Sequence, residues 1–201
     1  MNNISFKQYR AIDLGIMAVI LAVVEALTAK AASSWFPMEF YALSPSIAVI
    51  CIVMMRWGGF AALHAVVGGA AYCLALGASA EQFAVYCVGN CAALVSLVLI
   101  KALGKRKIKD SALFTVIFTV LAFVGTELGR GLVSLIFGSP IDSVLRFFAT
   151  DSLSLVFAVV VVLISRRVDG LFEDQRDYLI RTEAERRRAQ SPDNFGSDNF
   201  E

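Results

Sequence analysis

The chain has 201 residues, of which 58% are hydrophobic and only 17% are charged. An average soluble protein carries about 25% charged residues, so this composition excludes an ordinary soluble domain and indicates a helical protein with several membrane spans. The formal net charge of +1 gives no indication of nucleic-acid binding, and the length corresponds to one domain with a tail.

Six apolar blocks predict six transmembrane helices. The blocks are roughly as long as the ~20 residues that a helix needs to cross a bilayer, and they lack the two-residue alternation of barrel strands. Because a backbone in lipid must satisfy its own hydrogen bonds, the predicted fold class is all-α. The predicted spans are residues 11–33, 43–55, 58–78, 82–103, 112–137 and 147–164.

Basic residues predict the orientation of these spans. They precede the first span, separate the second from the third, surround the connection between the fourth and fifth, and follow the sixth. The alternate connections contain one arginine and no lysine. By the positive-inside rule, both termini are expected in the cytoplasm. The residues concerned are Lys7, Arg10, Arg56, Lys101, Lys105, Arg106, Lys107, Lys109, Arg166 and Arg167.

The stretch after the sixth span, residues 166–190, predicts a charged cytoplasmic helix. Its apolar residues Leu171, Phe172, Tyr178 and Leu179 recur at helical spacing. Either this narrow stripe lies on the membrane or on a partner, or the helix is solvated and extends the sixth span.

The tail after that helix is polar and rich in turn-forming residues, which predicts disorder. The predicted organisation is therefore a transmembrane domain over residues 1–167, a charged helix over 168–190 and a disordered tail over 191–201.

Two ionisable residues interrupt the fifth span. Glu127 and Arg130 are three residues apart, so both lie on one face of the helix. Ionisable side chains in membrane helices are costly and usually face a partner, a cavity or a pathway. The pair is therefore the first candidate for a functional site.

The predicted orientation places further polar residues near this pair. Glu25, Lys30 and Asp151 share the outer half of the membrane with it, and Asn90 lies near the middle. The set predicts an outward-open pocket for a small polar solute. The alternative is that the charges are structural ion pairs, with Lys30 and Arg146 extending to the outer interface.

The first span also carries small residues at a regular spacing. Ala18, Ala22 and Ala26 repeat every four residues, a pattern that lets another helix approach closely.

Together these features resemble the substrate-binding (S) component of energy-coupling-factor (ECF) ABC transporters. The resemblance rests on six spans with both ends inside, the AxxxA pattern in the first span and an outer polar pocket. Local sequence is also similar, in residues 44–69 (SPSIAVICIVMMRWGGFAALHAVVGG) and 86–90 (YCVGN). It covers about residues 11–167.

The resemblance implies a bacterial plasma-membrane protein that captures a water-soluble vitamin or related micronutrient. Its partners would be membrane lipid, a transmembrane coupling subunit and two ATPases. Ala18 and Ala22 would contact the coupling subunit, with Ala26 extending that contact.

The resemblance also implies a site near the outer face, lined by later spans and by the loop after the first span. That loop contains Trp35, Phe36, Phe40 and Tyr41, whose aromatic rings would cover the solute. Glu127 and Arg130 would hold its complementary charges, and Arg130→Ala is expected to abolish solute binding without unfolding the protein.

Other functions have little support in the sequence. The chain lacks a Walker A motif and any catalytic motif, so we expect neither ATP hydrolysis nor enzyme activity. The four cysteines fall in apolar blocks and are expected to be buried thiols, without a metal or cofactor. The main alternative is a structural or scaffold subunit of a bacterial membrane complex, which would explain the long charged C-terminal stretch and leave the ion pairs to fix packing.

Overall fold

A computed structural model describes residues 5–35 and 42–190 of the chain. All regular structure in these residues is helical, which confirms the all-α prediction. The α-helices there are α1 (Phe6–Trp35), α2 (Ser46–Trp57), α3 (Ala61–Leu76), α4 (Ala80–Gly89), α5 (Leu97–Leu103), α6 (Lys105–Asp110), α7 (Ala112–Ile136), α8 (Asp142–Thr150), α9 (Ser152–Ser165) and α10 (Gln175–Gln190). Two 3-10 segments, Gly58–Phe60 and Asn90–Ser96, join α2 to α3 and α4 to α5. The predicted tail, residues 191–201, lies outside the described residues.

The long apolar helices are compatible with a multi-pass membrane protein. In the described residues, four helical stretches have the length and apolar composition to cross a membrane: Phe6–Trp35, Ser46–Leu76, Ala80–Leu103 and Ala112–Ile136. A fifth is added if α8 and α9, which meet at an angle of 47°, form one broken span. The count of six spans and the location of the termini remain predictions.

The stretch Ser46–Leu76 is a hairpin and not a straight rod. Gly58 ends α2 with a φ of +63°, a backbone conformation that favours glycine. Beyond this turn, α3 returns along α2. The evidence is that Gly68 in α3 lies close to Ser46, the first residue of α2: a Cβ added to Gly68 would be 2.2 Å from the Oγ of Ser46. The turn falls between the predicted second and third spans.

Helices α2 and α7 form the centre of the bundle. Most of α2 is buried, including Arg56, and α7 packs against α4, the second 3-10 segment, α8 and α9. Helix α1 packs chiefly on α3, and Ala18, Ala22 and Ala26 are half-buried. The outer face of α1 exposes large apolar side chains, as expected for contact with lipid: Ile12, Ile16, Val19, Ile20, Val23 and Leu27.

Glycines in α7 permit a close helix contact within the central bundle. A Cβ on Gly125 would lie 2.5 Å from the carbonyl oxygen of Ala92, and one on Gly129 would lie 2.4 Å from that of Gly89. Gly125 and Gly129 form a GxxxG pattern, which is typical of close approach between membrane helices. The sequence analysis had assigned a small-residue contact to the first span and had not included this pair.

Ionic contacts gather at one end of the bundle, which we call the charged end. Asp13 of α1 accepts hydrogen bonds from Arg56 Nη2 at 2.7 Å and from Trp57 Nε1 at 2.5 Å. Lys105 pairs with Asp174 at 2.5 Å, and Lys109 pairs with Glu173 at 2.9 Å. These contacts join the start of α1, the α2–α3 turn and α6 to the segment after α9.

The segment after α9 differs from the prediction of one helix beginning at residue 166. Helix α9 ends at Ser165 and α10 begins at Gln175, because residues 166–174 fold back onto the charged end. Gly170 has a φ of +72°, and its carbonyl oxygen accepts a hydrogen bond from Arg56. Phe172 is fully buried against Phe118, with ring centroids 6.4 Å apart. Phe172 therefore packs inside the protein and not on a membrane or partner.

Acidification is expected to release this segment. Burial alone would raise the pKa of Glu173, but hydrogen bonds from Lys109 and Arg181 outweigh it and lower the pKa to about 2. The ordinary pKa of a glutamate is about 4.3. The ion pairs therefore stabilise the docked segment fully above about pH 4.5, and this stabilisation is lost as the pH falls toward 2.

The measurement is amide hydrogen exchange over residues 166–178, corrected for the intrinsic effect of pH. Protection should fall between pH 6 and pH 3 in the native chain. Glu173→Gln should show weaker protection at pH 6 and a smaller change with pH. Equal protection of the native segment at both pH values would contradict the role of Glu173.

Candidate functional site

Five polar side chains lie near one another in the interior and form what we call the buried cluster. Its members are Glu25, Asn90, Glu127, Arg130 and Asp151, each between 0% and 3% exposed. They come from α1, the second 3-10 segment, α7 and the junction of α8 with α9. Five of the residues predicted as solute ligands are thus brought together.

Arg130 lies at the centre of the buried cluster. Its Nη1 donates to Glu127 Oε1 at 3.2 Å and also to Asp151 Oδ2. Its Nε donates to Asn90 Oδ1 at 2.8 Å, and its guanidinium carbon lies 4.6 Å from the centre of the Tyr86 ring. The guanidinium is therefore engaged by two carboxylates, one amide and one aromatic face.

Asn90 links this arginine to a third helix. Its Nδ2 donates to the carbonyl oxygen of Ala65 in α3 at 3.2 Å. Because the amide nitrogen is used by that carbonyl, the amide oxygen points to Arg130. Asn90 thus fixes the position of α7 relative to α3 through hydrogen bonds at both ends of its amide.

Glu25 occupies the edge of the cluster, at the start of α2. Its Oε2 accepts hydrogen bonds from Ser46 Oγ at 2.7 Å and from Ser44 Oγ at 3.0 Å. The N-terminus of a helix carries a partial positive charge, which favours a carboxylate there. The absence of a side chain at Gly68 makes room for Ser46 in this contact.

The chain that leads into α2 is held by the α8–α9 junction. The backbone nitrogen of Ser44 donates to Ser154 Oγ at 2.9 Å, and Ser154 Oγ donates to the carbonyl oxygen of Ala42 at 3.1 Å. The backbone nitrogen of Ala42 donates to the carbonyl oxygen of Thr150 at 3.0 Å. Asp151 lies in the same junction, so one region supports both the entry to α2 and a carboxylate of the cluster.

Two tyrosines form an aromatic wall beside Arg130. The rings of Tyr72 and Tyr86 have centroids 4.7 Å apart. Helices α3 and α4 can approach here because Gly69 faces the backbone of Tyr86, only 2.7 Å from where a Cβ would be. The sequence analysis quoted Tyr86 only within a local similarity and did not assign either ring to the site. The signal available in the sequence was the pair Gly68 and Gly69. In the structure, Gly68 lies against Ser46 and Gly69 lies against the backbone of Tyr86.

The remaining predicted ligands lie elsewhere. Lys30 is on an exposed side of α1. Trp35 is 75% exposed and lines an apolar groove of about 380 Å³ with Leu27 and Leu153. Tyr41 lies outside the described residues, as do Phe36 and Phe40.

The predicted opening of the site to the outside is not present among the described residues. Glu127 is fully buried and Arg130 is 2% exposed, because the Gly89–Gly129 contact and the Tyr86 ring enclose them. The buried cluster is also well separated from the charged end. Residues 13 and 25 of α1 are about 18 Å apart along the helix axis, at about 1.5 Å per residue.

Comparison of the chain with models of protein families, with curated proteins and with solved structures gave no match. The class of protein is therefore defined by the fold itself. It is an all-helical chain whose long apolar helices are compatible with several membrane spans, with an enclosed polar cluster in its interior.

Proposed function

We propose that this chain is the membrane-embedded solute-binding subunit of an ECF-type importer. It captures a small water-soluble vitamin or related micronutrient outside the cell. The observation that carries the proposal is the buried cluster, in which charged side chains from several apolar helices lie near one another, far from the charged end. Ionisable groups at such a depth commonly mark a solute or ion site.

The two halves of the cluster are held in place by different parts of the fold, and this difference suggests how a solute enters. Glu127, Arg130 and Asn90 are held by α7 and its glycine contacts. Glu25 and Asp151 lie beside breaks in the helices, at the start of α2 and at the α8–α9 junction. In the proposed mechanism, movement at these breaks opens the cluster, and solute groups replace part of its internal hydrogen bonding.

The proposal also assigns the orientation and the partners. The charged end faces the cytoplasm of a bacterial cell, and the buried cluster lies in the outer half of the plasma membrane. Ala18, Ala22 and Ala26, which are half-buried on α1, contact the transmembrane coupling subunit. Two ATPases bound to that subunit drive release of the solute inward.

Replacing Glu25 with glutamine tests the site with little change of shape. Glu25→Gln keeps an oxygen that can accept from Ser44 and Ser46 but removes the negative charge. We expect a small molecule to co-purify with the native chain in detergent, detected by mass spectrometry, and to be largely absent from the variant. Lys30→Gln is the matched control, because Lys30 is on the same helix but on an exposed side, and it should retain the molecule.

The outcome is decided by comparing the three proteins. No small molecule with the native chain, or equal amounts with Glu25→Gln, would contradict the proposed site. The thermal midpoint of each purified protein is measured in parallel, so that loss of the molecule is separated from unfolding.

A scaffold subunit of a bacterial membrane complex is the second candidate. It is favoured by the docked segment at the charged end, where Phe172 is fully buried and α10 is exposed along most of its length. Purification of the full chain from native membranes separates the two candidates. A coupling subunit with ATPases supports the importer, and a stable complex without ATPases supports the scaffold.

A further inference from the structure

We infer that the buried cluster binds a cationic, amine-bearing solute and rejects an anionic one. The inference rests on the proposed function, since it assigns a charge to the solute of the same site. The observation behind it is an imbalance of charge. Three carboxyl side chains, Glu25, Glu127 and Asp151, are buried with a single guanidinium, that of Arg130.

The ionised cluster would carry a formal charge of −2, from three negative groups and one positive group. The start of α2 adds a partial positive charge equivalent to about +0.5, which leaves the cluster negative. Lys30 is exposed on another side of α1, so it does not correct the imbalance. A buried charge without compensation is strongly unfavourable, so the excess carboxyl groups must either take up protons or bind a cation.

Most of the guanidinium of Arg130 is already engaged, although its Nη2 forms no hydrogen bond within the described residues. Its Nη1 is held by Glu127 and Asp151, and its Nε is held by Asn90. One face of the guanidinium is covered by the Tyr86 ring. An anionic group that bound to Nη2 would add a fourth negative charge to the enclosed site, beside Glu127 and Asp151.

Two carboxylate oxygens, by contrast, can accept hydrogen bonds from an ammonium group. Among residues 5–35 and 42–190, no donor forms a hydrogen bond with Glu25 Oε1 or Asp151 Oδ1, although their partner oxygens are engaged. Both residues lie beside helix breaks, where opening requires the least rearrangement. Glu25 and Asp151 are therefore the side chains that would hold the ammonium group.

The neighbouring rings favour an organic cation. Tyr72 lies against Tyr86, and the negative face of an aromatic ring attracts cations. Within the described residues, no three His, Cys, Asp or Glu side chains are arranged to hold a metal ion. An ammonium group carried on a body that packs against Tyr72 fits this combination of carboxylates and rings.

The test compares two probes of similar shape and opposite charge. Phenethylammonium chloride and sodium 3-phenylpropionate are titrated into the purified full-length chain, and the thermal midpoint is followed. The ammonium salt should raise the midpoint and the carboxylate salt should not. For Asp151→Asn and for Glu25→Gln, the same rise in midpoint should need at least about a tenfold higher concentration of the ammonium salt. Asp142→Asn is an exposed control paired with Arg146, and it should respond like the native chain.

Several results would overturn the inference. A rise with the carboxylate salt, or no difference between the two salts, excludes a site selective for cations. Asp151→Asn or Glu25→Gln could instead have a higher thermal midpoint than the native chain and an unchanged response to the ammonium salt. That result would show that protons, and not a bound cation, neutralise the carboxyl groups. The co-purification experiment separates this inference from the proposed function. A recovered anionic solute overturns only the inference, whereas recovery of no solute contradicts the proposed function itself.

Discussion

Replacing Arg130 with alanine is expected to lower the stability of the folded protein by about 3–5 kcal/mol. The guanidinium is bound by Glu127 and Asp151 and donates to Asn90, all of them buried. Without it, two carboxylates lose their positive partner and the oxygen of Asn90 loses its donor. The free energy of unfolding is measured in mixed micelles with increasing denaturing detergent.

Arg146→Ala is the matched control for this experiment. Arg146 is exposed and pairs only with Asp142, one turn away on α8, and such surface pairs contribute from 0 to about 1 kcal/mol. Combining Arg130→Met with Glu127→Gln and Asp151→Asn should recover part of the lost stability, because the two carboxylates that the guanidinium had paired are then removed as well. An Arg130→Ala protein as stable as the native chain would show that the carboxyl groups do not depend on the guanidinium.

This expectation changes how loss of solute binding in Arg130→Ala is interpreted. The sequence analysis expected the variant to remain folded and to lose only its solute. With the side chain fully enclosed by its partners, loss of binding in that variant would not distinguish a solute ligand from a structural residue. Glu25→Gln and Asp151→Asn are sharper tests, because both keep the shape and a hydrogen-bond acceptor.

Replacing Gly129 with alanine is expected to destabilise the protein by about 1–3 kcal/mol, the usual cost of overpacking. The new Cβ would lie 2.4 Å from the carbonyl oxygen of Gly89 and 2.5 Å from the Cβ of Ala92. Neither neighbour can move aside, since one is backbone and the other a Cβ fixed to backbone. The α7 contact must therefore widen, and Arg130, the next residue, must shift within the cluster.

Gly15→Ala provides the control for a glycine within a helix. Gly15 is exposed on α1, and its added Cβ would have nothing within 4 Å. This substitution should stabilise the protein by about 0.5–1 kcal/mol, because alanine loses less conformational freedom than glycine on forming a helix. The stability of both variants relative to the native chain is measured by thermal unfolding and by unfolding in denaturing detergent. If Gly129→Ala were as stable as Gly15→Ala, the close approach of α7 would be contradicted.

The sequence predicted well those features that depend on position along a helix. The apolar blocks located the helices, and the three-residue spacing placed Glu127 and Arg130 on one face. Asp151, Asn90 and Glu25 were predicted to lie near this pair from their estimated depth, and they lie near it in the structure, whereas the depth itself remains a prediction. Depth does not specify direction around a helix axis, however. Lys30 follows Glu25 by five residues, a rotation of about 140°, so the two side chains leave α1 on different sides.

Contacts between distant parts of the chain were not accessible from local patterns. The spacing of Leu171 and Phe172 with Tyr178 matched a helix, yet the chain turns at Gly170 because Phe172 packs on Phe118. The pairing of Asp13 with Arg56 likewise depends on the hairpin of α2 and α3. The Gly125–Gly129 spacing was visible in the sequence, but its partner, Gly89, becomes evident only from the packed helices.

The hydrogen bonds around Ser154 have a consequence for how the protein fills the bilayer. Helix α2 rises only about 18 Å, against a hydrocarbon thickness of about 30 Å, and the non-helical Ala42–Ser44 backbone precedes it. In place of water, Ser154 and Thr150 satisfy the polar groups of that backbone. A non-helical stretch beside a short helix is thereby made compatible with an apolar environment, because the α8–α9 junction satisfies its polar groups inside the protein.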